Sequence, residues 1–281
     1  MRPLFLLSSF APAVVLASEE GVNPKATDLF HLGGIPVSNS ILTTWILAAV
    51  IILAIRVLVG TPKIVPSKGQ ALVENMASGL RDALEPIVGK SMIGKVFPTL
   101  CGFFVFILLM NWSGLLPGVG TIKFHADGHW LDAIRPATSD LNTTLALSII
   151  SFVAWTYFVL RYAGFKVLIF DLFGNKADKK ELSFPMWIML SFIFLGVGGI
   201  EVVSIAFRLI SLSFRLYGNV FGGENLIHAL GGIAPYIVPA VAGLLEVLVG
   251  LIQAFVFTLL SAVYIGLICN HEGGHDEEHA H

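Results

Sequence analysis

Four charged residues sit inside one apolar run. From Glu201 to His228 the chain reads EVVSIAFRLISLSFRLYGNVFGGENLIH, with Glu201, Arg208, Arg215 and Glu224 among side chains suited to a lipid interior. A charge at bilayer depth costs from about 3 to more than roughly 10 kcal/mol, depending on the measurement, so such residues mark ion paths or internal pairs. On an ideal helix seven residues return a side chain to within about 20° of the same face and advance it by roughly 10 Å. Glu201, Arg208 and Arg215 therefore form one polar line, and Asn219 lies one turn beyond Arg215 on nearly the same face. Glu224 points to roughly the opposite side, with His228 one turn past it. The blander reading is that partners on neighbouring helices neutralise these groups and they fix packing alone. Two arginines and two carboxylates on one segment exceed what packing needs.

Composition sets the medium in which these groups act. The 281 residues are 56% hydrophobic and 13% charged, a balance that points to an integral membrane protein. A net charge of -2 without a basic cluster argues against a nucleic-acid partner. Cys101 and Cys269 fall in separate apolar segments and suggest no disulfide framework.

The elements follow in order. Residues 1–17 have the layout of a secretory signal peptide, which would leave the N-terminus outside; an uncleaved interfacial segment is the alternative. Residues 18–40 read as a short exposed arm. The first transmembrane helix is expected at residues 41–60, with Arg56 placed to snorkel. Lys63, Lys68, Arg81, Lys90 and Lys95 follow it and set that side as cytoplasmic. Within this stretch residues 71–88 show helical spacing of apolar positions, which predicts an amphipathic helix on the membrane surface or on a partner. Further spans are expected at residues 97–117 and 141–160, joined by an outer loop of mixed charge. A cytoplasmic loop carrying Lys166, Lys176, Lys179 and Lys180 comes next.

Residues 184–231 contain no loop signal. As one helix they would reach about 70 Å, more than twice the hydrocarbon thickness. The run either breaks near residues 196–199 or lies strongly tilted. A turn near Gly231, Gly232 and Pro235 precedes the last apolar run, residues 236–269. The fold class is thus an all-α polytopic membrane protein of about five transmembrane helices plus one surface helix, the last two forming a long hairpin. Residues 41–269 make one transmembrane domain, and residues 270–281 a polar His-rich tail on the cytoplasmic side.

The stretch SLSFRLYGN at residues 211–219 resembles the essential-arginine motif of the a subunit of rotary F-type ATP synthases. NWSGLLP at residues 111–117, PATSDLNTTL at residues 136–145 and Gln253-Ala254-Phe255 extend the resemblance over most of the chain. It implies that Arg215 faces the rotor ring. It further assigns Asn219, Glu224, Glu246 and Gln253 to polar positions of the hairpin, Glu201 to an acidic position towards the cytoplasm, and Asp140 and Asn142 to the outer end of the preceding span. The implied partners are the c-subunit ring, the b-subunit peripheral stalk, the other synthase subunits and membrane lipid. The implied activity is passage of protons or sodium ions through two offset half-channels, coupled to ring rotation and ATP synthesis. ATP chemistry, cofactors and metals lie outside this chain.

Arginine suits such a gate because it stays protonated when partly buried, whereas lysine can lose its proton. Glu224, Glu246, Asp140 and His228 would serve the outer path, with Glu201 and Arg208 bordering the inner one. His228 has a second reading as a cap on local packing. Gln253, seven residues from Glu246 and on the same face, either orients Arg215 or makes an interhelical hydrogen bond with no ion role. Two other classes are distinguishable. A self-contained channel or secondary transporter would use Arg215 as an anion site and predicts an internal repeat, which the sequence lacks. A metalloprotease reading rests on His271, Glu272 and His275, but Gly273 and Gly274 oppose the helix that zinc chemistry needs.

Overall fold

The computed structural model describes residues 26–116, 119, 123–126, 129–132, 135–173, 184–231 and 237–269. The signal-peptide reading and the His-rich tail lie outside these residues.

Two strands, β1 (Asp28–Leu32) and β2 (Ile35–Ser38), open the described chain as an antiparallel hairpin. Gly33 and Gly34 turn it with φ of 59° and 89°, a conformation only glycine adopts without strain. Of the arm expected to be exposed, the described residues 26–40 carry this hairpin, with Asp28, Phe30 and His31 exposed and Val37, Ser38, Asn39 and Ser40 at its end buried. Ser38 then caps helix α1 (Asn39–Val59) by accepting a hydrogen bond from the Ile41 amide.

Helix α2 (Lys68–Val88) starts three residues before the expected point, capped by Ser67. Its amphipathic pattern has a partner within the chain itself. Leu80, Leu84 and Val88, one turn apart, are buried against α3 (Lys90–Ser113) and α7 (Ile237–Cys269). Leu72 and Met76 in its first half stay exposed.

Helix α3 begins seven residues earlier than the apolar run suggested, because Lys90 and Lys95 ride on its exposed side while Met92, Ile93 and Val96 go inward. A second small hairpin, β3 (Lys123–Ala126) and β4 (His129–Asp132), stands where only an outer loop was expected. Helix α4 (Leu141–Phe158) continues into a wider π turn, Val159–Ala163, and a short helix α5 (Phe165–Phe173) occupies part of the expected basic loop. Both hairpins and α5 are additions to a mostly helical chain.

Helix α6 (Phe184–Gly231) is continuous over 48 residues, so of the two expectations the break near residues 196–199 does not occur. Its glycines cost about 1 kcal/mol each in helix propensity, which this long apolar helix tolerates. Among the described residues, five helical segments are long and apolar enough to cross a membrane. Of these α3 and α4 are the most enclosed, and α1 and α6 are nearly bare.

The core has two parts. One joins Leu84, Ile93, Leu100, Trp155 and Ile265 from α2, α3, α4 and α7. The other joins Phe103, Ile107, Leu147, Leu216 and Phe257 and brings α6 in. Polar ties fix the register between helices. Asn111 Nδ2 donates to the Gly250 carbonyl at 3.2 Å, and Trp112 Nε1 donates to the Val247 carbonyl at 3.0 Å, so the NWSG stretch clamps α3 to α7. At Gly250 the helices are so close that a Cβ would lie 3.2 Å from Asn111 Cβ.

Candidate functional site

Arg215 lies on the exposed side of α6, and among the described residues its guanidinium makes no hydrogen bond or ion pair. The neighbouring turns explain the outward direction. Leu212, Ser213 and Leu216 are buried against the core, which leaves Phe214, Arg215 and Gly218 on the open side. The helix thus offers a permanent cation to whatever covers this face.

Two cavities flank that cation along α6. Beyond it, a cleft of about 350 Å³ lies between α6 and α7, lined by Asn111, Gly218, Asn219, Gly222, Gly223 and Glu246 among others. Glu246 leans on the backbone of Gly223, where a Cβ would come within 2.8 Å of its Oε1. Glycine at that position is what lets the carboxylate approach α6. Asn111 Oδ1 is buried at the same cleft and has no hydrogen-bond partner among the described residues. Before Arg215, a small cavity of about 30 Å³ lies among α4, α6 and α7. Ser148, Ser151, Arg208, Ser261 and Tyr264 line it, with room for a water molecule or two. Among the described residues none lines both cavities, and in sequence Arg215 falls between Leu212 of the one and Gly218 of the other.

The small cavity holds features that spacing alone did not reveal. Arg208 packs on the ring of Tyr264, its Cζ 3.2 Å from the ring centroid. Ser213 donates to Ser148 at 2.8 Å, and Ser151 pairs with Ser261 at 3.0 Å, so hydroxyls bridge α4 to α6 and to α7. The Ser148 and Ser151 pattern was visible as polar positions three apart in an apolar run, but their partners were not. Trp155 adds a donor to the Tyr264 carbonyl at 3.0 Å, which fixes the α7 backbone carrying the ring.

The structure gathers some of the expected residues and separates others. Asn219 and Glu246 share the larger cleft. Glu224 is half-buried one residue past Gly223, and Glu201 is exposed at the start of the polar line. Gln253 is half-buried, its Oε1 without a donor, and no hydrogen bond joins it to Arg215 among the described residues. The side chain of His228 lies outside those described. Asp140 and Asn142 line a different cleft, of about 450 Å³, with Asp28, Ser38 and Thr44. There Asp140 is buried, and both of its oxygens are engaged. Oδ1 accepts from the Asn142 amide at 3.1 Å, which caps α4, and Oδ2 accepts from Ser40 Oγ at 2.8 Å, which ties in the start of α1.

Long apolar helices define an integral membrane protein, and an exposed cation flanked by two cavities that carry a few polar groups in apolar linings suits one that handles ions. The model of the family described as ATP synthase A chain matches residues 41–266. Over 241 residues the chain is 31% identical to "ATP synthase subunit a 2" of a Bradyrhizobium species, covering 86% of this chain and 93% of that one. Against "ATP synthase subunit a" of Moorella thermoacetica the identity is 30% over 241 residues, covering 86% and 95%. The chain belongs to the ATP synthase A chain family.

Proposed function

We propose that the chain is the stator subunit through which protons or sodium ions reach and leave a rotating ring of c subunits, with b subunits and the rest of the synthase as partners. The observation that carries this reading is Arg215 standing exposed between two cavities that share no lining residue. In this reading ions entering the cleft at Asn219 and Glu246 do not pass directly to the cavity at Arg208, since the two share no lining residue among those described. They must transfer to the ring, travel with it, and return on the other side. An ionised ring carboxylate about 4 Å from Arg215 would gain roughly 4 kcal/mol of attraction at an effective dielectric of 20, enough to hold it charged as it passes. The same fixed positive charge repels a cation attempting the direct path.

In this reading Glu224, Glu246 and Asn219 serve the outer half-channel, and Glu201 and Arg208 border the inner one. Asp140 and Asn142 stand at the outer end of α4, where Asp140 acts mainly by holding α1 and α4 together. Gln253 supplies an unused acceptor near the hairpin crossing. The basic segments after α1 and α4 favour a cytoplasmic position for those ends and for the C-terminus, with the N-terminus outside, in a bacterial-type inner membrane.

The test compares wild type and Arg215→Ala in membrane vesicles after confirming assembly. Expected are loss of both ion-driven ATP synthesis and ATP-driven pumping, together with a passive ion leak. Full coupling in the assembled variant would refute the gate assignment.

A further inference from the structure

At the end of α4 a second cationic feature lies away from the ion path. Lys95 Nζ of α3 stands 4.4 Å from the centroid of the Tyr162 ring, and Arg161 Cζ stands 5.8 Å from the same centroid. Both cations are exposed, and neither has a carboxylate within 4 Å among the described residues. Tyr162 is itself held by stacking on Phe158, with centroids 6.3 Å apart, and it belongs to the π turn that widens the end of α4. A neutral ring attracts each cation through its π face but cancels neither charge, so the pair leaves a concentrated positive field.

The surface leading to this cluster is apolar. Ile150, Val153 and Tyr157 of α4 and Leu160 of the π turn recur every three to four residues, and each is between 43% and 59% exposed. This stripe runs along a segment long and apolar enough to cross a membrane and ends beside Arg161. It therefore faces acyl chains over its length and reaches headgroup level at the two cations, where a tyrosine is also at home. A ligand matching both parts has a single negative charge with phosphate oxygens at one end and hydrocarbon at the other. Arginine presents its planar fork to phosphate, and lysine adds a point charge.

We propose that Lys95, Tyr162 and Arg161 form a binding site for the phosphate headgroup of an anionic phospholipid whose acyl chains lie along Ile150, Val153, Tyr157 and Leu160. The site is independent of the ion-path reading. A lipid is favoured over an acidic protein segment because the apolar stripe continues directly into the cluster.

The test uses the whole complex that contains this chain, purified and reconstituted in phosphatidylcholine nanodiscs with a trace of photoactivatable phosphatidylglycerol. Crosslinked residues are mapped by mass spectrometry. Expected are crosslinks within residues 149–162 that fall about fivefold for each of Lys95→Gln and Arg161→Gln, the effect of one charge near a lipid surface. Lys95→Arg and Tyr162→Phe should retain them, and excess inorganic phosphate should leave them in place. Labelling is read only on assembled complex, and either single variant that assembles decides the matter. Equal labelling by a phosphatidylcholine probe, or labelling unchanged in the assembled variants, would overturn the proposal. Competition by free phosphate would reassign the site to the soluble anion, and an acidic segment of another subunit crosslinked there would reassign it to protein.

Discussion

Replacing Asp140 separates a structural carboxylate from a titrating one. Its side chain caps α4 and accepts a hydrogen bond from Ser40, a residue one hundred positions earlier, and both partners are buried. Asp140→Ala removes an N-cap worth about 1 kcal/mol and a hydrogen bond to a charged group worth about 1.5–3 kcal/mol. The combined loss of about 2.5–4 kcal/mol lowers the folded-to-unfolded ratio by roughly 60- to 700-fold. Asp140→Asn behaves differently, because asparagine caps about as well as aspartate and its amide can still pair with the Ser40 hydroxyl. Its expected cost is below about 1 kcal/mol. The assay has two parts: the amount of this subunit retained in detergent-purified complex, and ATP-driven ion pumping in inverted vesicles. The Ala variant should lose retention, while the Asn variant should assemble and pump within about twofold of wild type, a loss small beside the tenfold that about 1.4 kcal/mol would produce. An Asn variant that assembles fully yet does not pump would show that Asp140 must carry an exchangeable proton, and the structural argument would fail.

Two further outcomes follow from close contacts. Gly266→Ala, a change that stabilises most helices, should here weaken docking of α7 on α2 by about 1–3 kcal/mol, because the new Cβ overlaps the Ile87 carbonyl oxygen. Reduced retention of the subunit in purified complex checks this, and unchanged retention would mean that the α2 end yields freely. Tyr264→Leu removes the ring under Arg208, an interaction of about 0.5–2 kcal/mol, while Tyr264→Phe preserves it. ATP-driven pumping should slow several-fold in the first and stay near wild type in the second; equal losses would point to the phenol hydroxyl instead.

Long apolar runs were legible because lipid imposes a simple rule on them. Phe184–Gly231 was bounded correctly by composition alone, since nothing between Pro185 and Gly231 forces a turn. Whether Gly196 and Gly199 would break it was not legible, because a glycine permits a bend without requiring one. The surface helix was visible in the spacing of Leu80, Leu84 and Val88, but its docking on α3 and α7 depends on residues far away in sequence. Outside the spans the pattern weakens. The β1–β2 turn at Gly33 and Gly34 was passed over within a short polar arm, and α5 was hidden inside a lysine-bearing loop. At the site, charge in an apolar run singled out Arg215, helical spacing set Asn219 one turn beyond it, and Glu246 entered through the family resemblance; that Asn219 and Glu246 line one cleft was not legible. Tyr264 did not stand out, since a tyrosine near a span end reads as an interface anchor until Arg208 is seen lying on it. Ser40 was equally silent, because its importance resides wholly in a partner that folding brings to it.

The near-bare surface of α6 bears on how such a chain is made and kept in a cell. Newly inserted and alone, it would turn Arg215 and the long apolar face of α6 towards lipid, where an unpaired guanidinium costs about 3 kcal/mol or more. Under the proposed function, arrival of the rotor ring relieves that penalty and covers the same face. An orphan copy is then the strained state and an assembled one the relaxed state. Under that proposal the same arginine would also distinguish a finished machine from a subunit that quality-control proteases should remove.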